Sequence, residues 1–180
     1  EYVVSNAAGC GAMLKEYGQL LADEPAWADR ASRIAERARD VTELLAEAGP
    51  VPGGSLGHSV TYDAPCHLLH AQRVNAAPLK VLAAIPGLRL VPLVDAEFCC
   101  GAAGIYNLLE PGTSAAVLEP KLAHIANTGA QFVATGNPGC HMQIGAGLAR
   151  EGSDTRAVHP VDLLDASYAA IGTRNAERGT

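Results

Sequence analysis

From residue 58 onward the chain alternates between short apolar or β-branched runs and helix-patterned stretches. HSVTYD (58–63), LRLVPLV (88–94), QFVATG (131–136) and TRAVHP (155–160) read as strands. Residues 76–85, with Pro78 near the first turn, and 113–128, 141–150 and 161–171 read as helices. Strands that alternate with helices specify βαβ units. The expected class is α/β, a mainly parallel sheet with flanking helices. In such sheets ligands bind at the carboxyl ends of the strands.

The first third reads less regularly. YVVSN (2–6) is a buried strand by its β-branched pair, Cys10 follows at a turn, and 11–21 are helical. Trp27, Ala31, Ile34, Ala38, Val41, Leu45 and Ala48 recur at steps of four and three, which predicts one continuous helix packed by that face. Gly49-Pro50 stops it, and GPVPGGSLG (49–57) is the most linker-like stretch. YVVSNAAGC resembles QFVATGNPGC, and DVTELLAEAG resembles HPVDLLDASYA. This is a pseudo-repeat. It divides the chain into 1–49, the C-terminal end of a first unit, a linker at 50–57, a complete second unit at 58–172, and a tail at 173–180. Because Glu1 leads straight into a strand-like run, the expectation is that the sequence is a piece of a longer protein.

Composition excludes several classes. With 48% hydrophobic residues the chain can bury a core and is not of the disordered type. A net charge of −6 and 4% aromatics argue against nucleic-acid binding. The most apolar stretch, 78–94, is interrupted by Lys80, Pro86, Arg89 and Pro92, so no membrane span is expected.

The chemistry is carried by five cysteines: Cys10, Cys66, Cys99, Cys100 and Cys140. An odd count and no visible secretion signal favour a reducing, cytoplasmic setting with metal or thiol chemistry over a disulfide framework. Between Cys66 and Cys99 lie 32 residues, and between Cys100 and Cys140 lie 39, so separate loops of a folded domain must deliver them. That is not a zinc-finger spacing. Each cysteine follows a predicted strand. Adjacent cysteines in extended backbone point to opposite faces. One metal atom takes both only with a distorted backbone, whereas a multinuclear cluster relaxes that demand. Gly101 and Gly104 give the loop freedom. Thiolates select zinc or iron–sulfur centres. The competing readings are inert buried thiols and a redox thiol pair. His67 and His141, each next to a cysteine, are candidate donors to a ligand sulfur, with Gly101.

YDAPCH, EFCCGAAGIYNL and TGNPGCHMQI resemble the cysteine-rich CCG domain of iron–sulfur oxidoreductase subunits, a family that includes a heterodisulfide reductase subunit, the anaerobic glycerol-3-phosphate dehydrogenase small subunit and lactate-utilisation proteins. PCHLLHAQRV, CCGAAGIYNLLEP and GNPGCHMQI are most similar to the glycolate oxidase (glycolate dehydrogenase) iron–sulfur subunits. The resemblance covers nearly the whole chain, with Cys10 ending a first CCG repeat. It implies Cys66, Cys99, Cys100 and Cys140 as ligands of an iron–sulfur cluster, 4Fe-4S by thiolate number, with Cys10 as a candidate fifth. It further implies FAD on partner subunits that oxidise a 2-hydroxy acid such as glycolate. Electrons would pass towards a membrane acceptor, in a complex at the inner face of the cell membrane. The chain alone would not be catalytic. No C-x₂-C-x₂-C-x₃-C run is present, and the family's terminal Cys-x-x-Cys is shortened, since Gln143 stands where the last cysteine would be. The four remaining thiolates also suit zinc, so a zinc-stabilised docking module and a heterodisulfide reductase-like thiol-redox subunit stay open.

Overall fold

The structure is a computed structural model that describes residues 1–178, with the side chains up to Ile171. Four strands form one sheet: β3 (Ser59–Tyr62), β4 (Arg89–Val91), β5 (Phe132–Ala134) and β6 (Arg156–Val158). Every pairing is parallel, in the order β4-β3-β5-β6. The N-terminal β1 (Val3–Ser5) and β2 (Ala38–Asp40) make a separate parallel pair. The helices are α1 (Ala8–Leu20), α2 (Ala28–Arg37), α3 (Val41–Ala48), α4 (Ala76–Ala83), α5 (Tyr106–Leu109), α6 (Pro111–Thr128), α7 (Pro138–Arg150) and α8 (Pro160–Arg178). The α/β reading of the sequence is therefore correct.

Strand alternation builds a core on each face of the larger sheet. Val60, Tyr62 and Ala134 pack with Val81, Leu82 and Ile85 of the α4 region and with Leu163 and Leu164 of α8. Val133, pointing the other way, packs with Leu118, Leu122 and Ile125 of α6 and Ile144 and Leu148 of α7. Cys100, Ala102 and Cys140 belong to that second cluster. The helix ends follow local chemistry. Pro111 opens α6, and Gly129, at φ 60°, closes it in the left-handed conformation.

The single helix predicted over the heptad-like stretch 27–48 is broken in two. Residues 38–40 leave the helix to pair with β1, Val3 beside Ala38 and Ser5 beside Asp40. Asp40 then starts α3 with a reciprocal cap, its side chain accepting from the Thr42 N–H while Glu43 accepts from its own N–H. The apolar spacing continues through the break, which is why periodicity alone hides it. Trp27 and Ile34, expected on the packed face, are 54% and 38% exposed. β1 also differs from expectation: Val3 and Val4 are exposed.

Residues 50–57, read as a linker, are strapped to the fold. Gly54 donates to the Ser167 carbonyl and accepts from its hydroxyl, both at 2.7 Å. A Cβ on Gly53 would overlap Ser167, so this approach requires glycine. The segment expected as a tail, 173–180, falls on the last turns of α8, with 179–180 outside the described residues.

The sheet order places the site. From β3 the chain moves to one side, to β4, and from β5 it moves to the other, to β6. The loops after β3 and β5 therefore diverge and leave a crevice at the carboxyl edge. Backbone bonds continue past the strand ends: Asp63 N–H donates to the Ala134 carbonyl, Ala64 to Ala96, and Thr135 to Val158. These ties hold the loops after all four strands against one another.

Candidate metal centre

Four of the five cysteines meet at this edge, each carried by a different local device. Cys66 opens the turn after β3, where His67–Ala71 form one π-helical turn closed by Gln72 N–H on the His67 carbonyl at 3.1 Å. Wide turns of this type are frequent at functional sites. Gln72 anchors that turn to α1, its amide donating to the Ala8 carbonyl at 2.8 Å, while its buried Oε1 has no hydrogen-bond partner. Gly11 leaves the space, since a Cβ there would lie 2.6 Å from Gln72 Nε2.

Cys99 and Cys100 lie in the loop after β4. Gly101, at φ 83°, turns the chain and donates its N–H to the Cys99 sulfur at 3.3 Å. A Cβ at Gly101 would sit 2.5 Å from the Ser114 carbonyl oxygen, so only glycine fits. The loop is then tied to two helices through side chains. Ser114 donates to the Gly101 carbonyl at 2.8 Å, Gln143 donates to the Ser114 hydroxyl at 2.9 Å, and Asn107 donates to Gln143 at 3.1 Å. Gln143 thus serves in the network that shapes the Cys99-Cys100 loop.

Cys140 is the third residue of α7, which begins at Pro138, three residues earlier than the sequence suggests. Asn137 just ahead of the helix donates its amide to the Cys140 sulfur at 3.4 Å. The thiols fall into two pairs, Cys66 against Cys99 and Cys100 against Cys140. Burial pushes the Cys66 thiol up, and charge on Cys99 and Cys100 adds to it. The hydrogen bond from Cys140 holds Cys100 below the usual thiol range; Cys140, the donor in that bond, is pushed up by it and by burial. The Cys100–Cys140 pair therefore does not shed both protons readily without a cation to stabilise the thiolates.

Beneath the thiols lies a buried ion pair that the sequence reading did not anticipate. Lys121 Nζ is 2.8 Å from Asp63 Oδ1, and both side chains are 2% exposed. Lys121 also donates to the carbonyls of Asp95 and Ala96 at 3.0 and 3.1 Å, and Thr135 donates to Asp63 Oδ2 at 2.8 Å. One pair therefore joins the ends of β3 and β5 to the loop that leads to Cys99. Burial pushes the Asp63 carboxyl up, and Lys121 opposes the shift. The only sequence signal was a lysine among apolar residues of α6, directly after Pro120.

The remaining expected residues differ in where they lie. Cys10 is exposed in the first turn of α1, not in a turn before it. His67 Nδ1 is 3.9 Å from the Cys66 sulfur. The His141 ring faces the Ala157 carbonyl of β6 at 3.1 Å, not a sulfur. His159, just ahead of α8, accepts the Val161 N–H on Nδ1 and donates from Nε2 to the Asn6 carbonyl at 2.9 Å. That pattern fixes the neutral ring, in line with burial lowering its pKa.

A cleft of about 480 Å³ opens onto Cys66 and Cys99 between Phe98, Val117 and Pro120. Among the described residues no three His, Cys, Asp or Glu side chains converge on a point suited to a single ion. A tetrahedral zinc with sulfur at 2.3 Å needs all four sulfurs within about 3.8 Å of one another. The four thiols, paired Cys66 with Cys99 and Cys100 with Cys140, are a soft donor set of the kind that suits zinc or an iron–sulfur centre. No helix among the described residues is long and apolar enough to cross a membrane.

Comparison with known proteins agrees with these motifs. The family profile CCG, described as a cysteine-rich domain, matches residues 60–145. The chain is 38% identical over 172 residues to the probable glycolate oxidase iron-sulfur subunit of Bacillus subtilis (strain 168), covering 90% of this chain and 38% of that protein. It is 35% identical over 167 residues to lactate utilization protein A of Shouchella clausii, covering 92% of this chain and 70% of that protein. Against lactate utilization protein A of Geobacillus kaustophilus the identity is 34% over 168 residues, with 92% and 70% covered. The chain belongs to the CCG cysteine-rich domain family, together with these lactate utilization and glycolate oxidase proteins.

Proposed function

We propose that the chain is an electron-transfer module of an oxidoreductase complex, in which Cys66, Cys99, Cys100 and Cys140 hold one iron–sulfur cluster. The observation that carries this reading is the meeting of four thiols from three loops at the switch point of a parallel sheet. Four thiolates satisfy a four-iron cluster, which would supply one-electron relay chemistry when bound. The protein's own part is to position the sulfurs. Gly101 N–H and the Asn137 amide point hydrogens at two of them, and the Asp63–Lys121 pair fixes the loops. Cys10, exposed in the first turn of α1, is left outside this proposed set and is tested with it.

The relatives' names extend the proposal. A glycolate oxidase subunit and a lactate utilization protein suggest that the electrons originate from a 2-hydroxy acid oxidised on an FAD-bearing partner subunit, and move on to a membrane acceptor from the cytoplasmic side. The domain organisation is part of the same reading. β1, α1, β2 and α3 repeat the order and parallel pairing of β5, α7, β6 and α8. Residues 1–49 would then be the closing half of one CCG unit, and 58–172 a whole one. The test is anaerobic reconstitution of the chain with iron and sulfide, in the wild type and in five single Cys→Ser variants. Loss of iron in the variants at 66, 99, 100 and 140, with retention at 10, supports the ligand set. Full retention in Cys99→Ser, or one zinc per chain in the wild type, refutes it.

A further inference from the structure

Asn137 occupies the residue before α7, where an asparagine ordinarily turns its side-chain oxygen onto an N–H of its own helix. It does not do so: its side chain makes no such bond. Instead Oδ1 accepts the Gly9 N–H at 3.1 Å, from the start of α1. The same loop is tied a second time, by Ala8 N–H on the Gly136 carbonyl at 3.0 Å, and a third time by His159 on the Asn6 carbonyl. An amide has one acceptor end and one donor end. With its oxygen held by Gly9, the NH₂ is left to face the Cys140 sulfur, 3.4 Å away. Gly139 preserves that orientation, because a Cβ there would press within 3.3 Å of Asn137 Nδ2.

We propose that Asn137 is a positioning residue that links the N-terminal α1 segment to the redox centre: Gly9 sets the amide's orientation, and the amide in turn donates to the Cys140 sulfur and raises the reduction potential of the centre. The inference rests on the cluster reading above. Hydrogen bonds to a ligand sulfur stabilise the more negative, reduced state. Movement of the start of α1 relative to the sheet would therefore reach the Cys140 sulfur through this side chain. Neither His67 nor His141, the neighbours that sequence adjacency favours, has this double connection.

Two variants separate the parts. Asn137→Asp keeps the oxygen that accepts from Gly9 and replaces the donor with an oxygen that repels sulfur. Asn137→Leu removes both bonds at similar volume. In the anaerobically reconstituted chain both should retain iron while the midpoint potential falls, by at least the equivalent of a tenfold change in the oxidised-to-reduced ratio, which is 59 mV for one electron. The aspartate should shift it further than leucine. Unchanged potentials with iron retained overturn the proposal. Should Asn137→Leu not fold, Asn137→Asp decides. A second readout needs no cluster. In the metal-free chain, Cys140→Ala should move the Asn137 side-chain NH₂ resonance in a ¹⁵N–¹H spectrum and leave the Gly9 amide in place. An unmoved Asn137 signal refutes the contact. A wild type that takes up no iron overturns the cluster reading, and the NMR result still decides the hydrogen bond.

Discussion

Replacing Lys121 by Met keeps the length and apolar stem of the side chain and removes its charge. The ammonium it removes makes three bonds, to Asp63 Oδ1 and to the carbonyls of Asp95 and Ala96. Bonds to charged groups contribute about 1.5–3 kcal/mol each, so three set an upper range of roughly 5–9 kcal/mol. Relaxation limits the loss. An isolated buried carboxylate takes up a proton instead of staying charged. Starting from an ordinary carboxyl pKa of 3.8, protonation at pH 7 costs about 4.4 kcal/mol. The expected destabilisation at pH 7 is therefore about 3–5 kcal/mol, the range found when one partner of a buried pair is removed. The sign of the pH dependence follows. In the variant the folded state holds one proton more than the unfolded state between the unfolded carboxyl pKa and the raised folded value. Its stability then rises as pH falls, by about 1.4 kcal/mol per unit. Urea unfolding of both proteins from pH 5 to 7.5 measures this. A loss under 1 kcal/mol, or a difference independent of pH, would refute the reasoning, and Asp63→Asn combined with Lys121→Met should remove the pH dependence.

Further outcomes follow from single contacts. Gly101→Ala should cost about 1–3 kcal/mol in backbone strain alone, and should lower iron content on reconstitution, because its Cβ would meet the Ser114 carbonyl; iron content equal to wild type would contradict the role of that turn. His159 is neutral when folded because burial lowers its pKa, so below about pH 6.5 the unfolded chain binds the extra proton and stability falls with acidification; thermal unfolding of His159→Gln should show a shallower acid dependence than wild type. Gln143→Ala frees the Ser114 hydroxyl and the Asn107 amide, and should speed iron loss to a chelator without unfolding the chain, as circular dichroism would report.

What the sequence disclosed depends on the range of the interactions. The parallel sheet was legible because each strand is a short apolar run set apart by a helix pattern, and such patterns are local. The thiol cluster was legible because Cys-Cys-Gly and two further cysteines follow predicted strands. The break at 38–40 was not legible, since it depends on pairing with residues 3–5 and on the Asp40 cap, while the apolar spacing passes through unaltered. The Asp63–Lys121 pair joins residues 58 positions apart, and the Asn137–Gly9 bond spans 128. Neither residue pair carries a local signature. Histidines next to cysteines in sequence show the reverse: adjacency is visible, but the direction of a ring is fixed by what packs around it, as with His141 turned to β6.

The central claim is that the four thiols hold a redox-active iron–sulfur centre. An EPR-monitored redox titration of the anaerobically reconstituted chain tests it most directly. The account predicts one signal that appears and disappears reversibly as a one-electron step, close to one spin per chain, and is lost in Cys99→Ser. A colourless protein with no redox-dependent signal and one zinc per chain would contradict it.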